Sequence, residues 1–191
     1  MDIHLMVQST PNPNALKFVL NTPVRIEGNV TYKKGNPCTN NPLAKAIFDL
    51  EPSIKEVYFF DNYITVTQDG TGDWDALEQK IRAAILEKAV DHDPNFKAEE
   101  TAPAQERKPA LSGNPDLDRI NAILDQTVRP HLQMDGGDLQ VVNYTNNVVK
   151  VFYQGACGSC PSSAMGTLKA VEGILKDEFN PDVTVELAEN Y

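Results

Sequence analysis

Apolar and polar positions alternate at the start of this chain. "IHLMVQ" (residues 3–8) and "ALKFVL" (15–20) read as strands joined across the turn-forming cluster "STPNPN". "VRIEGNVTYK" (24–33) predicts a third strand or a hairpin. The period then lengthens. "NNPLAKAIFDL" (40–50) places Leu43, Ile47 and Leu50 on one helical face, with Asn41 as cap and Pro42 at the first helical position. "IKEVYFF" and "YITVTQ" flank "DN" and predict a hairpin. "WDALEQKIRAAILEKAV" (74–90) predicts a helix capped by Asp73, with the stripe Trp74, Leu77, Ile81, Ile85 and Leu86. These elements imply helices on one face of a mostly antiparallel sheet.

The second half repeats neither order nor sequence. "NPDLDRINAILDQTVRPHL" (114–132) predicts a helix capped by Asn114, with the stripe Leu117, Ile120, Leu124 and Val128, ended or kinked at Pro130. "MDGGD" (134–138) reads as a turn in which Gly136 and Gly137 can take positive φ. "LQVVNY" and "VVKVFY" pair across "TNN" as a hairpin. A helix with Met165, Leu168, Val171, Leu175 and Phe179 at helical spacing follows, then the strand "VTVEL". The order is α-β-β-α-β.

Between the halves, residues 91–115 are rich in Pro, Ala, Glu and Lys, and Phe96 and Leu111 are almost the only large apolar side chains. Such a stretch buries too little to fold alone. The expected class is α+β: two small two-layer α/β-sheet domains, at residues 1–92 and 115–191, joined by a flexible linker at 93–114. The formal net charge of −10 argues against a nucleic-acid partner. No apolar run approaches the ~18 residues of a membrane span. The first ten residues lack the basic and apolar regions of a secretory signal and the Arg-rich pattern of a transit sequence. The expectation is a cytoplasmic protein with neither nucleic-acid nor membrane partner.

Three cysteines do not make a disulfide framework. Two of them, Cys157 and Cys160, sit in "GACGSCPSS" between a predicted strand and a predicted helix. Pro161 fits the first helical turn, which makes Cys160 the expected N-cap. Free amides and the helix dipole there favour thiolate, the form that binds metal and attacks disulfides. Gly155, Ala156, Gly158 and Ser159 keep bulk away from the sulfurs. A zinc or iron–sulfur centre usually takes four ligands. His131, Asp135 and Asp138 are the other candidates in this half; His131 reads as an idle surface residue, and the aspartates read as turn residues capping amides. Two chains meeting at their CxxC loops supply four thiolates, enough for a [4Fe–4S] cluster on a two-fold axis. Thiol–disulfide exchange is the main alternative, because strand–CxxC–helix also occurs in thioredoxin-like proteins. Only one helix and one strand follow Cys160, however, and no βαβ unit precedes it. Zinc shared between chains is a further alternative, as is a pure interaction module whose cysteines are spectators. No paired acid and base, phosphate loop or nucleophile–base motif is present, so no enzyme activity is expected.

"VRPHLQMDGGDLQVV" followed by "VKVFYQGACGSCPSSAMGTLKAVEGILK" resembles the NifU C-terminal (Nfu) domain over roughly residues 116–187. "TPNPNALKFVLN", "NNPLAKAIFDLEPSIKEVYFFDNYITVTQ" and "WDALEQKIRAAI" are similar to the N-terminal domain of Nfu-type proteins. The resemblance implies a scaffold or carrier that binds a [4Fe–4S] cluster through Cys157 and Cys160. It also implies a homodimer when loaded, supplied by upstream cluster-assembly proteins and delivering to apo iron–sulfur clients. "EGNVTYKKGNPCTNN" departs from the family pattern and carries Cys38, which reads as incidental.

Overall fold

In the computed structural model, which describes residues 2–97, 114–158 and 163–188, the chain divides into two units, Met1–Lys108 and Pro109–Tyr191. In the first, the alternating segments become β1 (Leu5–Ser9), β2 (Ala15–Leu20) and β3 (Asn29–Lys33), followed by helix α1 (Pro42–Phe48). Then come the hairpin β4 (Ile54–Phe60) and β5 (Tyr63–Gln68), and helix α2 (Trp74–Lys88). The sheet order is β1-β2-β5-β4-β3, antiparallel throughout. The register sets Phe18 opposite Ile64, Val57 opposite Val66 and Val30 opposite Phe59. These residues share one sheet face, and Leu43 and Ile47 of α1 and Leu77, Ile81 and Ile85 of α2 pack into the same core. Both helices start as expected. Asn41 Oδ1 accepts from the Ala44 amide at 3.1 Å, and Asp73 Oδ1 accepts from the Asp75 amide at 3.0 Å. Trp74 Nε1 donates to Pro13 O at 3.0 Å. The segment from Val24 yields one strand, not a hairpin. The Val24 and Arg25 amides instead donate to Asp61 O, at the β4–β5 turn.

The first unit extends past the expected boundary at residue 92. Phe96 is buried: its ring stacks on Tyr32 at 6.3 Å and meets Phe59 edge-on at 5.7 Å. The Arg25 guanidinium lies 4.8 Å over the Phe96 ring and donates to Phe96 O, and His92 Nε2 lies 2.8 Å from Val24 O. One aromatic ring offers enough apolar area to anchor a polar segment that composition alone assigns to the linker. The rest of the expected linker, 98–113, lies outside the described residues. Phe96→Ala is expected to destabilise the first unit by about 3 kcal/mol, as for other buried Phe→Ala changes. Urea unfolding followed by circular dichroism checks this.

The second unit has α3 (Pro115–Thr127), α4 (Arg129–Met134), β6 (Gly137–Thr145), β7 (Val148–Gly155), α5 (Ser163–Glu178) and β8 (Thr184–Leu187). The α-β-β-α-β order stands, with one short helix added. Pro130 explains the addition. Helix α3 ends before it, and Pro130 occupies the first turn of α4, where no amide donor is needed. β6 and β7 pair antiparallel around Asn146 and Asn147, both at positive φ, the geometry of a tight two-residue hairpin turn. β8 adds parallel to β7. Ile120, Leu124, Leu132, Leu139, Val149, Val151, Val171, Leu175 and Val185 form the core. Each unit is thus a small α+β domain, helices against one sheet. Among the described residues no helix is long and apolar enough to cross a membrane.

Candidate metal centre

The cysteine loop begins where β7 ends. Gly155 turns the chain with φ 60°, and the Gly158 amide donates to Gly155 O at 3.0 Å, closing a tight turn around Cys157. The Ala156 amide donates to Gly136 O at 3.1 Å. This bond ties the loop to the α4–β6 corner, the "DGGD" stretch.

The two glycines of that corner do different work, and only one of them uses the positive φ open to both. Gly136 does, at 80°. Gly137 is a strand residue paired with Gly155. A Cβ on Gly137 would stand 2.5 Å from Cys157 Sγ, 2.9 Å from Cys157 Cβ and 2.7 Å from Gln154 O. Its missing side chain is the seat of the Cys157 sulfur. Cys157 is 6% exposed and packs into the core of the second unit. Its neighbour Gly158 is exposed and carries no side chain.

Asp138 also departs from the turn role. It lies in β6 and is fully buried; Oδ1 accepts from the Leu139 amide at 2.7 Å and lies 4.0 Å from Arg129 Nε. Arg129, which sequence reasoning missed, is itself buried. Nε donates to Leu139 O at 2.9 Å; Nη1 donates to Asn121 O at 3.1 Å and Asp125 Oδ1 at 2.9 Å; Nη2 donates to Asn121 Oδ1 at 2.7 Å. The guanidinium therefore clamps α3 and the start of α4 onto β6, two residues from Gly137. The available signal was an Arg four residues after Asp125, directly beside the apolar stripe.

Tyr153 and Gln154 precede the loop. Tyr153 OH and Gln154 Oε1 are buried with no hydrogen-bond partner among the described residues. An unmet buried polar group costs on the order of 1–3 kcal/mol. Burial, and secondarily the proximity of Cys157, pushes the Tyr153 phenol well above its ordinary value.

The other candidate ligands are not gathered at Cys157. His131 is exposed, with Nδ1 2.9 Å from Thr127 O, and Asp135 is exposed at the end of α4. Among the described residues no three His, Cys, Asp or Glu side chains are placed to hold a metal ion. Cys160, with its expected helix-capping role, lies outside the described residues. Cys38 packs at the edge of the first core. One unit thus offers, in its described part, a single thiol, seated by glycines at a loop without bulky side chains.

Residues 120–186 match the NifU-like domain, and residues 5–92 match the N-terminal domain of the scaffold protein Nfu/NifU. NifU-like protein 4, mitochondrial, of Arabidopsis thaliana is 30% identical over 173 residues, covering 90% of this chain and 61% of that protein. NFU1 iron-sulfur cluster scaffold homolog, mitochondrial, of Drosophila virilis is 31% identical over 173 residues, covering 90% and 57%. The chain thus spans roughly three-fifths of the length of these curated relatives. The solution structure of a NifU-like protein from Saccharomyces cerevisiae aligns with a TM-score of 0.45 at 23% identity, covering 51% of this chain and 87% of that one. With both halves matched in order, and the seated Cys157 inside the second match, the chain belongs to the NifU-like (Nfu) family.

Proposed function

We propose that the protein binds a [4Fe–4S] cluster through Cys157 and Cys160, shares it between two copies of the chain, and delivers it to apo iron–sulfur proteins. The observation that carries this reading is the glycine seat of Cys157 beside the exposed, side-chain-free Gly158. Two thiolates per chain make half a coordination sphere, and a symmetric pair completes it. A site assembled between copies exposes its cluster edge whenever they part, which suits hand-over better than storage. The names of the relatives, as iron–sulfur cluster scaffolds, support the same role. The activity is binding and ligand exchange, not turnover. Upstream assembly proteins load the cluster, in the reducing cytoplasm. The first unit engages partners, and its tether to the second raises the effective concentration of the transfer step.

Anaerobic reconstitution with iron and sulfide tests this. About four irons per two chains are expected, with the mass of a dimer and a brown colour. Cys157→Ser loses all three. A loaded monomer, or iron retained when both Cys157 and Cys160 are serine, overturns the reading. Reversible disulfide turnover without iron uptake would replace it with a dithiol oxidoreductase.

A further inference from the structure

We infer that the seat over Gly137 shields the Cys157 thiol from peroxides and other electrophiles while the chain is free of iron, and so preserves the ligand between one load and the next. Why the thiol is worth preserving rests on the cluster reading above; the shielding itself does not. Cys157 is in no disulfide, yet it is 6% exposed and packs with the apolar core of the second unit. Reactive cysteines are partly exposed, whereas buried ones are inert. Cys38, by contrast, is half-buried at the edge of the first core. Three features hold the Cys157 sulfur in. Gly137 leaves the space, since a Cβ there would stand 2.5 Å from Sγ. The pairs Gly137–Gly155 and Leu139–Tyr153 are two residues apart, and Leu139 and Tyr153 belong to the core, so the seat opens onto the core face of the sheet. Two backbone bonds then close the loop: the Ala156 amide donates to Gly136 O at 3.1 Å, and the Gly158 amide to Gly155 O at 3.0 Å.

A peroxide oxidises a thiolate by displacement. The S–O bond forms, the O–O bond breaks, and hydroxide leaves with the electron pair, so that the cysteine becomes a sulfenic acid. Iodoacetamide reacts in the same sense: the S–C bond forms and iodide leaves. Both reactions need the sulfur to face the reagent across open space. From the seat it faces the Gly137 backbone. Attack therefore waits on a local opening that breaks the two loop bonds and draws the sulfur out. The emptied seat and the newly wetted apolar surface hold that open form to about one part in a hundred.

The test times the reaction of iron-free, fully reduced, full-length protein with iodoacetamide and with hydrogen peroxide, each cysteine being followed separately by peptide mass spectrometry. Cys157 is expected to react about a hundredfold more slowly in the native chain than in the same chain unfolded in urea, and more slowly than native Cys38. Gly137→Ala fills the seat and is expected to speed Cys157 by about tenfold or more at a temperature below its thermal midpoint, with Cys38 unchanged. Gly173→Ala, in the open on α5, is expected to leave both rates alone. Native Cys157 reacting as fast as in urea overturns the inference without any variant. A folded Gly137→Ala chain whose Cys157 is no faster than native overturns the part played by the seat. Slow native Cys157 in a protein that takes up no iron on reconstitution leaves the shielding standing and removes the cluster reading instead.

Discussion

Arg129→Met is expected to destabilise the second unit by about 3–5 kcal/mol, the cost of breaking a buried ion pair from one side. The loss has two parts. Leu139 O, Asn121 and Asp125 lose the guanidinium that joins α3 and α4 to β6. Asp138, fully buried, loses its nearby cation. Methionine fills similar volume, so the penalty is polar and not a cavity. The double change Arg129→Met with Asp138→Leu is expected to recover part of the loss, because it also removes the buried carboxylate that has lost this cation. Amide hydrogen exchange across β6 and β7 in the full chain measures both. No faster exchange in the single variant would show that the clamp contributes nothing.

Gly137→Ala is expected to lower iron loading by about tenfold or more while costing the fold about 1–3 kcal/mol through overpacking. The new Cβ would meet Cys157 Sγ at 2.5 Å and Gln154 O at 2.7 Å. The sulfur can rotate away, but the carbonyl belongs to the paired strand and cannot. The thiol is therefore displaced and the end of the β6–β7 ladder strained together. Gly173→Ala is the matched control. It lies in α5, where a Cβ meets nothing within 4 Å. It is expected to add up to about 1 kcal/mol of helix stability and to leave loading untouched. Iron per chain and thermal midpoints, taken for both variants, separate the seat from general glycine effects. Native loading in Gly137→Ala would mean that Cys157 needs no such seat.

Local pattern carried most of the fold. The caps at Asn41, Asp73 and Asn114 and the Asn146–Asn147 hairpin depend on neighbours within a few residues, and they were legible. Phe96 was not, because its burial depends on Tyr32 and Phe59, far away in the chain. The "DGGD" stretch was misread for a similar reason. Gly136 obeys the local turn rule, but Gly137 answers to Gly155, eighteen residues on. Asp138 and Arg129 likewise depend on contacts made only once α3, α4 and β6 meet. At the site, spacing singled out Cys157 as a candidate ligand. Its burial over Gly137 and the unmet Tyr153 hydroxyl are products of strand register, which composition and spacing do not encode.

Trp74, anchored to Pro13 O, is the only tryptophan in the chain and belongs to the first unit. Indole fluorescence is therefore a one-sided gauge. It follows the first half and is blind to the half that holds Cys157. A thermal screen read by emission alone would pass a lesion at Arg129 as harmless.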